Sequence, residues 1–188
     1  MRGLTALLVA AGALALVSCN GDKAGQPESQ IAAAKRGPCE KTSFEDVPLT
    51  ICIADPRKDR IMTALAPEQG APYRGLGAYS ASRRNDPTPV EFVLNAGMFD
   101  DEGEPIGYYV ENGKKLKDLN RAKGPGNFHM LPNGVFFGSG NKWEVRSSAD
   151  FYTHVDKRPD FGTQSGPMLV IDGELHPDIQ PDGESLRI

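Results

Sequence analysis

Gly107-Tyr-Tyr-Val-Glu-Asn112-Gly113-Lys114-Lys-Leu-Lys-Asp118 is the stretch that decides the fold class. Asn-Gly readily takes positive φ at both residues, which the two-residue hairpin turn requires if its twist is to match that of its strands. An aromatic and β-branched run before it and a Lys-Lys-Leu-Lys run after it supply the two strands. Asp172-Gly173 sits in the same way between Pro167-Met-Leu-Val-Ile171 and Glu174-Leu175-His176. Pro132-Asn133-Gly134 divides Phe128-His-Met-Leu131 from Val135-Phe-Phe137, and Asn141-Lys142 leads into Trp143-Glu-Val-Arg146. Leu49-Thr-Ile-Cys-Ile53 and Arg60-Ile-Met-Thr-Ala-Leu65 are expected to pair around Asp55-Pro56. Helical pattern is scarcer: Tyr73 to Arg84, and Ala149 to His154 with Ser147 or Ser148 as N-cap. The pattern predicts a single α+β domain with a mixed, largely antiparallel β-sheet and few helices.

The amino-terminal residues read as an export signal. Arg2 gives a short basic start, Leu4 to Val17 is an unbroken run of small and apolar residues, and Ser18-Cys19 follows. A run of that length suits a signal peptide over residues 1–18 and falls short of the ~20 residues a membrane-spanning helix needs. Leu16-Val17-Ser18-Cys19 is similar to a bacterial lipobox, in which Cys19 is lipidated and becomes the mature amino terminus. The alternative is an ordinary secretory signal cut near Ala13 or Ala15, which leaves Cys19 free. More than one acyl chain gives stable anchoring, and a lipoprotein cysteine carries two or three. Asn20 after the cysteine implies, by the same resemblance, an outer-membrane anchor facing the periplasm. The expected location is therefore the bacterial cell envelope. Residues 19–37 are rich in Gly, Ala, Gln, Ser and Lys without apolar periodicity, and read as a flexible tether.

Of three cysteines, Cys39 and Cys52 remain as one possible pair if Cys19 carries lipid. A disulfide closing a loop of that size would contribute on the order of 3 kcal/mol through the unfolded chain. Two reduced, buried cysteines are the other reading. No CxxC pair or Cys/His cluster has the spacing of a zinc site. The formal net charge of −4 becomes −5 once Arg2 is removed with the signal. Such acidity argues against nucleic acid as a partner, because phosphate neutralisation needs a basic stripe.

Two further stretches carry the chemistry. Phe92-Val-Leu-Asn95-Ala-Gly97-Met98-Phe99 reads as an apolar strand running into a glycine turn, where backbone amides can come close to a ligand. Asn95 offers a donor and an acceptor, and Phe99 a flat face for a sugar ring. Gly162-Thr163-Gln164-Ser165-Gly166-Pro167 reads as a polar loop before a strand, with hydroxyls, an amide and glycine backbone able to contact phosphate or sugar oxygens. On chemistry alone both also read as a strand end and a capped turn. Ser165 has no adjacent general base and is not assigned as a nucleophile. Asp100-Asp101-Glu102-Gly103-Glu104 is the densest acidic cluster. It reads either as a solvated turn or as a contributor of carboxylates to glycoside cleavage or to a hard cation such as calcium. His129, led into by Gly124-Pro-Gly126-Asn127, ranks above His176 as a site histidine.

In this order the two stretches resemble the phosphodiester glycosidase family, relatives of the lysosomal enzyme that uncovers mannose 6-phosphate by removing N-acetylglucosamine. They are closer still to a bacterial branch described as a domain of unknown function. Pro105-Ile-Gly107-Tyr-Tyr-Val-Glu-Asn112-Gly113, Gly126-Asn127-Phe128-His129, Pro132-Asn133-Gly134-Val135-Phe136 and Asp172-Gly173-Glu-Leu-His176-Pro177 are similar to words of that branch. The resemblance runs from Cys39 to Ile188 and implies the α+β architecture, with the domain occupying residues 38–188. It implies a sugar-phosphate or glycan substrate held by Asn95, Gly97, Phe99, Gly107, Asn127, His129, Thr163, Gln164, Ser165 and Gly166. The implied reaction is hydrolysis of a sugar-1-phosphodiester, releasing the sugar and leaving a phosphomonoester. Catalytic residues are not assigned, and a divalent cation such as calcium stays open as a cofactor. A non-catalytic glycan-binding lipoprotein and a structural envelope lipoprotein are the alternative functions. Ser185-Leu-Arg187-Ile188 resembles the start of a further family segment. The expectation is therefore a domain incomplete at its carboxyl end, with apolar residues after Leu169-Val-Ile171 left open; the alternative is a naturally short member.

Overall fold

The computed structural model describes residues 37–179. The expected signal peptide, Cys19, nearly all of the tether, and Ser185 to Ile188 lie outside the described residues.

Nine strands pair, every pair antiparallel, into one five-stranded sheet and two two-stranded ones. The hairpin at Asn112-Gly113 is where the sequence puts it. It joins β3 (Tyr109–Glu111) to β4 (Lys114–Lys117), with φ of 49° and 73° at the two turn residues. β5 (Gly134–Ser139) and β6 (Lys142–Ser147) form the second hairpin, and β7 (Phe161–Ser165) lies between β3 and β5, giving the order β4-β3-β7-β5-β6. β8 (Val170–Ile171) and β9 (Glu174–Leu175) turn through Asp172-Gly173 as expected. Leu169, Val170 and Leu175 beside that turn are 64%, 52% and 64% exposed.

Four expectations are corrected. β2 (Val47–Cys52) pairs with β1 (Cys39–Phe44), not with residues 60–65. Its turn is Glu45-Asp46, both at positive φ, and a Cys39–Cys52 disulfide closes the far end of the hairpin. After β2 the Asp55 carboxylate accepts from the Arg57 N–H at 3.0 Å, and the Asp55 N–H donates to the Asp59 carboxylate at 2.7 Å. That local capping turns the chain before it can pair. Residues 60–65 then lie against β3: the Thr63 hydroxyl donates to the Val110 carbonyl, and the Leu65 N–H to the Glu111 carboxylate, each at 2.9 Å.

Phe128 to Leu131 is not the partner of β5. Asn127–His129 is a 3-10 turn, and β5 pairs with β6 and β7 instead. Local bonds occupy the backbone: His129 N–H donates to the Gly126 carbonyl, and the buried Asn133 amide donates to the Phe128 carbonyl at 3.0 Å. Phe92 to Leu94 joins no ladder among the described residues; the nearest pairing is a single bridge between Phe99 and Pro105. The fourth correction concerns Thr163 to Ser165, which is not a loop but most of the central strand β7.

The core lies on one face of the five-stranded sheet. Tyr108, Val110, Val135 and Phe137 pack beneath Phe151 of α2 (Ser148–His154), whose ring centre is 4.9 Å from those of Tyr108 and Phe137. Ser147 caps that helix by accepting from the Asp150 N–H at 3.1 Å. The other helix, α1 (Leu76–Ser82), buries no residue and falls inside the expected Tyr73 to Arg84 span. No helix among the described residues is long and apolar enough to cross a membrane.

Candidate functional site

β7 is the element on which the two chemical stretches meet. A Cβ on Gly97 would lie 2.4 Å from Thr163 Oγ1 and 2.5 Å from the Gln164 carbonyl oxygen. Only a residue without a side chain lets the Asn95-Ala-Gly97 backbone approach the strand this closely. Gly107 and Gly166 do the same on either side. A Cβ on Gly107 would meet Gln164 Oε1 at 2.6 Å and the Phe128 ring at 2.8 Å; one on Gly166 would meet the Phe128 carbonyl at 2.6 Å and the Asn127 carbonyl at 3.2 Å. Gly97, Gly107, Asn127, Thr163, Gln164 and Gly166 are thereby brought together at the Ser165 end of β7.

Gln164 is the tie of this cluster. It is 1% exposed, and its Oε1 accepts from the N–H groups of Tyr108 at 2.8 Å and Asn120 at 3.0 Å. Its Nε2 donates to the Asn120 carbonyl at 2.7 Å. The Asn120 side chain continues the net, donating to the Ile106 carbonyl at 2.8 Å and accepting from the Ala122 N–H at 3.0 Å. The Gln164 side chain therefore holds backbone that other residues present. Thr163, 5% exposed, places its hydroxyl under Gly97.

The remaining expected residues sit around this buried tie. Asn95 and Ser165 are exposed, and neither side chain is hydrogen-bonded to another described residue. Phe99 is 53% exposed, one residue from the acidic turn. His129 packs edge-on against Phe128 with ring centres 5.1 Å apart, and its Nδ1 lies 2.8 Å from the Ala122 carbonyl. That bond requires Nδ1 to carry the proton, leaving Nε2 beside Gly124. His176 is 1% exposed: its Nδ1 accepts from the Asp178 N–H, so its Nε2–H donates to the Leu131 carbonyl, each at 3.1 Å. It holds loops together.

The acidic stretch forms a capped turn. Asp100 Oδ1 accepts from the Glu102 N–H at 3.1 Å and the Glu104 N–H at 2.8 Å, and Gly103 sits at φ 84°. No three His, Cys, Asp or Glu side chains are gathered so as to hold a metal ion among the described residues. The cluster around Gln164 is built of amides, hydroxyls and glycine backbone, groups that orient a polar ligand without a fixed charge of their own. Burial raises the affinity of the nearby Tyr108 and Tyr109 hydroxyls for their protons; Tyr109 stays a donor, to Glu111 Oε2 at 3.1 Å.

Asn120 and Asn133 are the polar residues that the sequence reading does not single out as part of this arrangement. Asn133 is fully buried, donates to the Phe128 carbonyl and accepts from the Ser148 hydroxyl. Its place in a Pro-Asn-Gly turn points to backbone geometry and hides its side chain's role. Asn120 follows Asp118-Leu119 with no motif around it, and only the fold brings it to Gln164.

An α+β domain with its glycine words packed on one central antiparallel strand is the class this architecture defines. The family model described as phosphodiester glycosidase matches residues 88–187, a span that contains every residue of this cluster, and the chain belongs to that family. It is also similar to the uncharacterized protein YigE of Escherichia coli strain K12, at 34% identity over 134 residues, covering 71% of this chain and 52% of the relative. The chain thus spans about half the length of that relative. No solved structure matches it.

Proposed function

We propose that the protein hydrolyses a sugar-1-phosphodiester, splitting the bond between the anomeric carbon and the phosphate oxygen so that free sugar and a phosphomonoester leave. The observation that carries this reading is the seating of Gly97 on Thr163 and Gln164 inside the family-matched span. Backbone amides and the exposed Asn95 and Ser165 side chains supply donors for a phosphate that gains charge as the bond breaks. Phe99, more than half exposed, offers the sugar an aromatic face. The substrate is a glycan or envelope component, and the protein works from a lipid anchor on Cys19 in the bacterial cell envelope, facing the periplasm from the outer membrane.

The test is release of labelled sugar from a radiolabelled sugar-1-phosphodiester by the purified full chain. Free sugar and phosphomonoester should accumulate in equal amounts. Saturable binding of the diester with no product would reject hydrolysis and leave a glycan-binding lipoprotein.

A further inference from the structure

The far end of β7 borders a cleft. The cleft, of about 470 Å³, opens where residues 56–63 face Asn112 before Gly113, the Gly138 to Gly140 end of β5, and Asp160 leading into β7. Backbone bonds fix the last three of these to one another. The Gly113 N–H donates to the Asp160 carbonyl at 2.9 Å, and the Asp160 N–H reaches the Gly138 carbonyl at 3.1 Å and the Ser139 hydroxyl at 2.9 Å. The floor is aromatic. Trp143 lies across Gly138, where a Cβ would come 2.4 Å from the indole, and its ring centre is 5.1 Å from that of Phe161. The indole N–H is bound to the Gly140 carbonyl at 2.8 Å, which fixes the ring in place.

The rim is polar and unspent. The side chains of Arg60, Asn112 and Asp160 line the cleft, and none makes a hydrogen bond or ion pair with another among the described residues. Asp59, also on the rim, uses one carboxylate oxygen on the Asp55 N–H. We infer that this cleft is a saccharide-binding site for an uncharged sugar ring, separate from the Gly97–Thr163 contact. A sugar presents an apolar C–H face to an aromatic floor and a ring of hydroxyls to amide, carboxylate and guanidinium groups. The two rim carboxylates disfavour a phosphate, so this end of the strand takes a neutral glycan unit. The two sites lie at opposite ends of a five-residue strand, roughly 13 Å apart at about 3.3 Å per residue. One glycan of several units can span both.

The chain contains a single tryptophan, so its fluorescence reports this cleft alone. Titration of the full chain with N-acetylglucosamine should give a saturable change in Trp143 emission, and N-acetylglucosamine 1-phosphate should bind several-fold more weakly. Asn112→Gly removes the amide while retaining the positive-φ turn, and Asp160→Asn removes the charge; each should weaken the sugar response up to about tenfold. Asn95→Ala, at the other end, should leave it unchanged. No saturable change in the unmodified chain, or an identical response in Asn112→Gly and Asp160→Asn, would overturn the assignment. Because the readout is binding at Trp143, its failure is distinct from a failure of sugar-phosphodiester hydrolysis.

Discussion

Gly97 rests on Thr163 with no room between them for a methyl group: the added Cβ would lie 2.4 Å from the Thr163 hydroxyl and 2.5 Å from a backbone oxygen. The hydroxyl can rotate away, whereas the Gln164 carbonyl belongs to the central strand and cannot.

Gly97→Ala should therefore destabilise the fold by about 1–3 kcal/mol, as overpacking of a close contact does. Thr163→Ala in the same chain should restore only part of it, since the backbone clash remains. Urea unfolding of the single and double variants checks this; full rescue would show that the hydroxyl alone sets the limit.

Gln164→Ala removes the acceptor of two N–H groups and the donor to one carbonyl. Burial leaves those groups without water, so the loss should reach about 2–4 kcal/mol, above the cost of a single unpaired group. Gln164→Glu keeps the two acceptor bonds but sets a buried carboxyl against the Asn120 carbonyl, and should also destabilise. Equal stability of all three proteins by thermal or urea unfolding would contradict the network.

Asn95 separates binding from folding. Its side chain is exposed and makes no hydrogen bond to a described residue, so Asn95→Ala should change stability by no more than about 0.5 kcal/mol. If Asn95 contacts the ligand, the same substitution weakens sugar-phosphate binding by about 1–3 kcal/mol. Calorimetric titration beside a melting curve reads both quantities. A variant that melts many degrees lower and binds normally would make Asn95 a structural residue.

The Asp55 turn has a defined pH limit. The side-chain hydrogen bond from Arg57, followed by its backbone N–H, holds the Asp55 carboxyl down from 3.8 to about 2. A carboxyl depressed in the folded state stabilises above its unfolded pKa and loses that contribution as pH falls through the folded one. The turn should keep its full strength above about pH 4 and lose it toward pH 2. Carbon-detected NMR titration of Asp55 measures the midpoint, and Arg57→Ala should move it back up. A wild-type midpoint at the ordinary carboxyl value would rule this out.

The proposed lipid anchor is Cys19. Cys19→Ser should move the protein from the membrane fraction to the soluble one after a high-salt wash, with the domain still folded. Retention on the membrane after that wash would exclude the lipid anchor.

What the sequence disclosed depended on how locally each feature is encoded. Asn112-Gly113 and Asp172-Gly173 dictate their own backbone, so both hairpins could be read directly. Glu45-Asp46 adopts the same positive φ at both residues without a glycine to announce it, so the sequence does not disclose that β2 pairs with β1. Thr163-Gln164-Ser165 reads as a loop because its residues are polar. The Gln164 side chain is instead satisfied by Tyr108 and Asn120, 56 and 44 residues away, and no local pattern carries that information. The glycine words signalled close approach correctly, but not what is approached. The Trp143 cleft is hidden for a related reason: it is assembled from the 56–63 segment and sheet ends that only the fold brings together.

The bond between Gln164 and Asn120 has a kinetic meaning as well. The backbone at Asn120 is fastened by side chains, that of Gln164 and its own bond to Ile106, not by a ladder of strand bonds. Its release breaks a few side-chain bonds, those of Gln164, Asn120 and His129, while unzipping β7 requires breaking its pairing with two neighbours. Amide protons of Tyr108 and Asn120 should accordingly exchange with solvent on separate clocks from those of Val135 or Gly162. The segment between β4 and the Asn127 turn is thus a latch held by side chains, hung on a sheet held by its backbone.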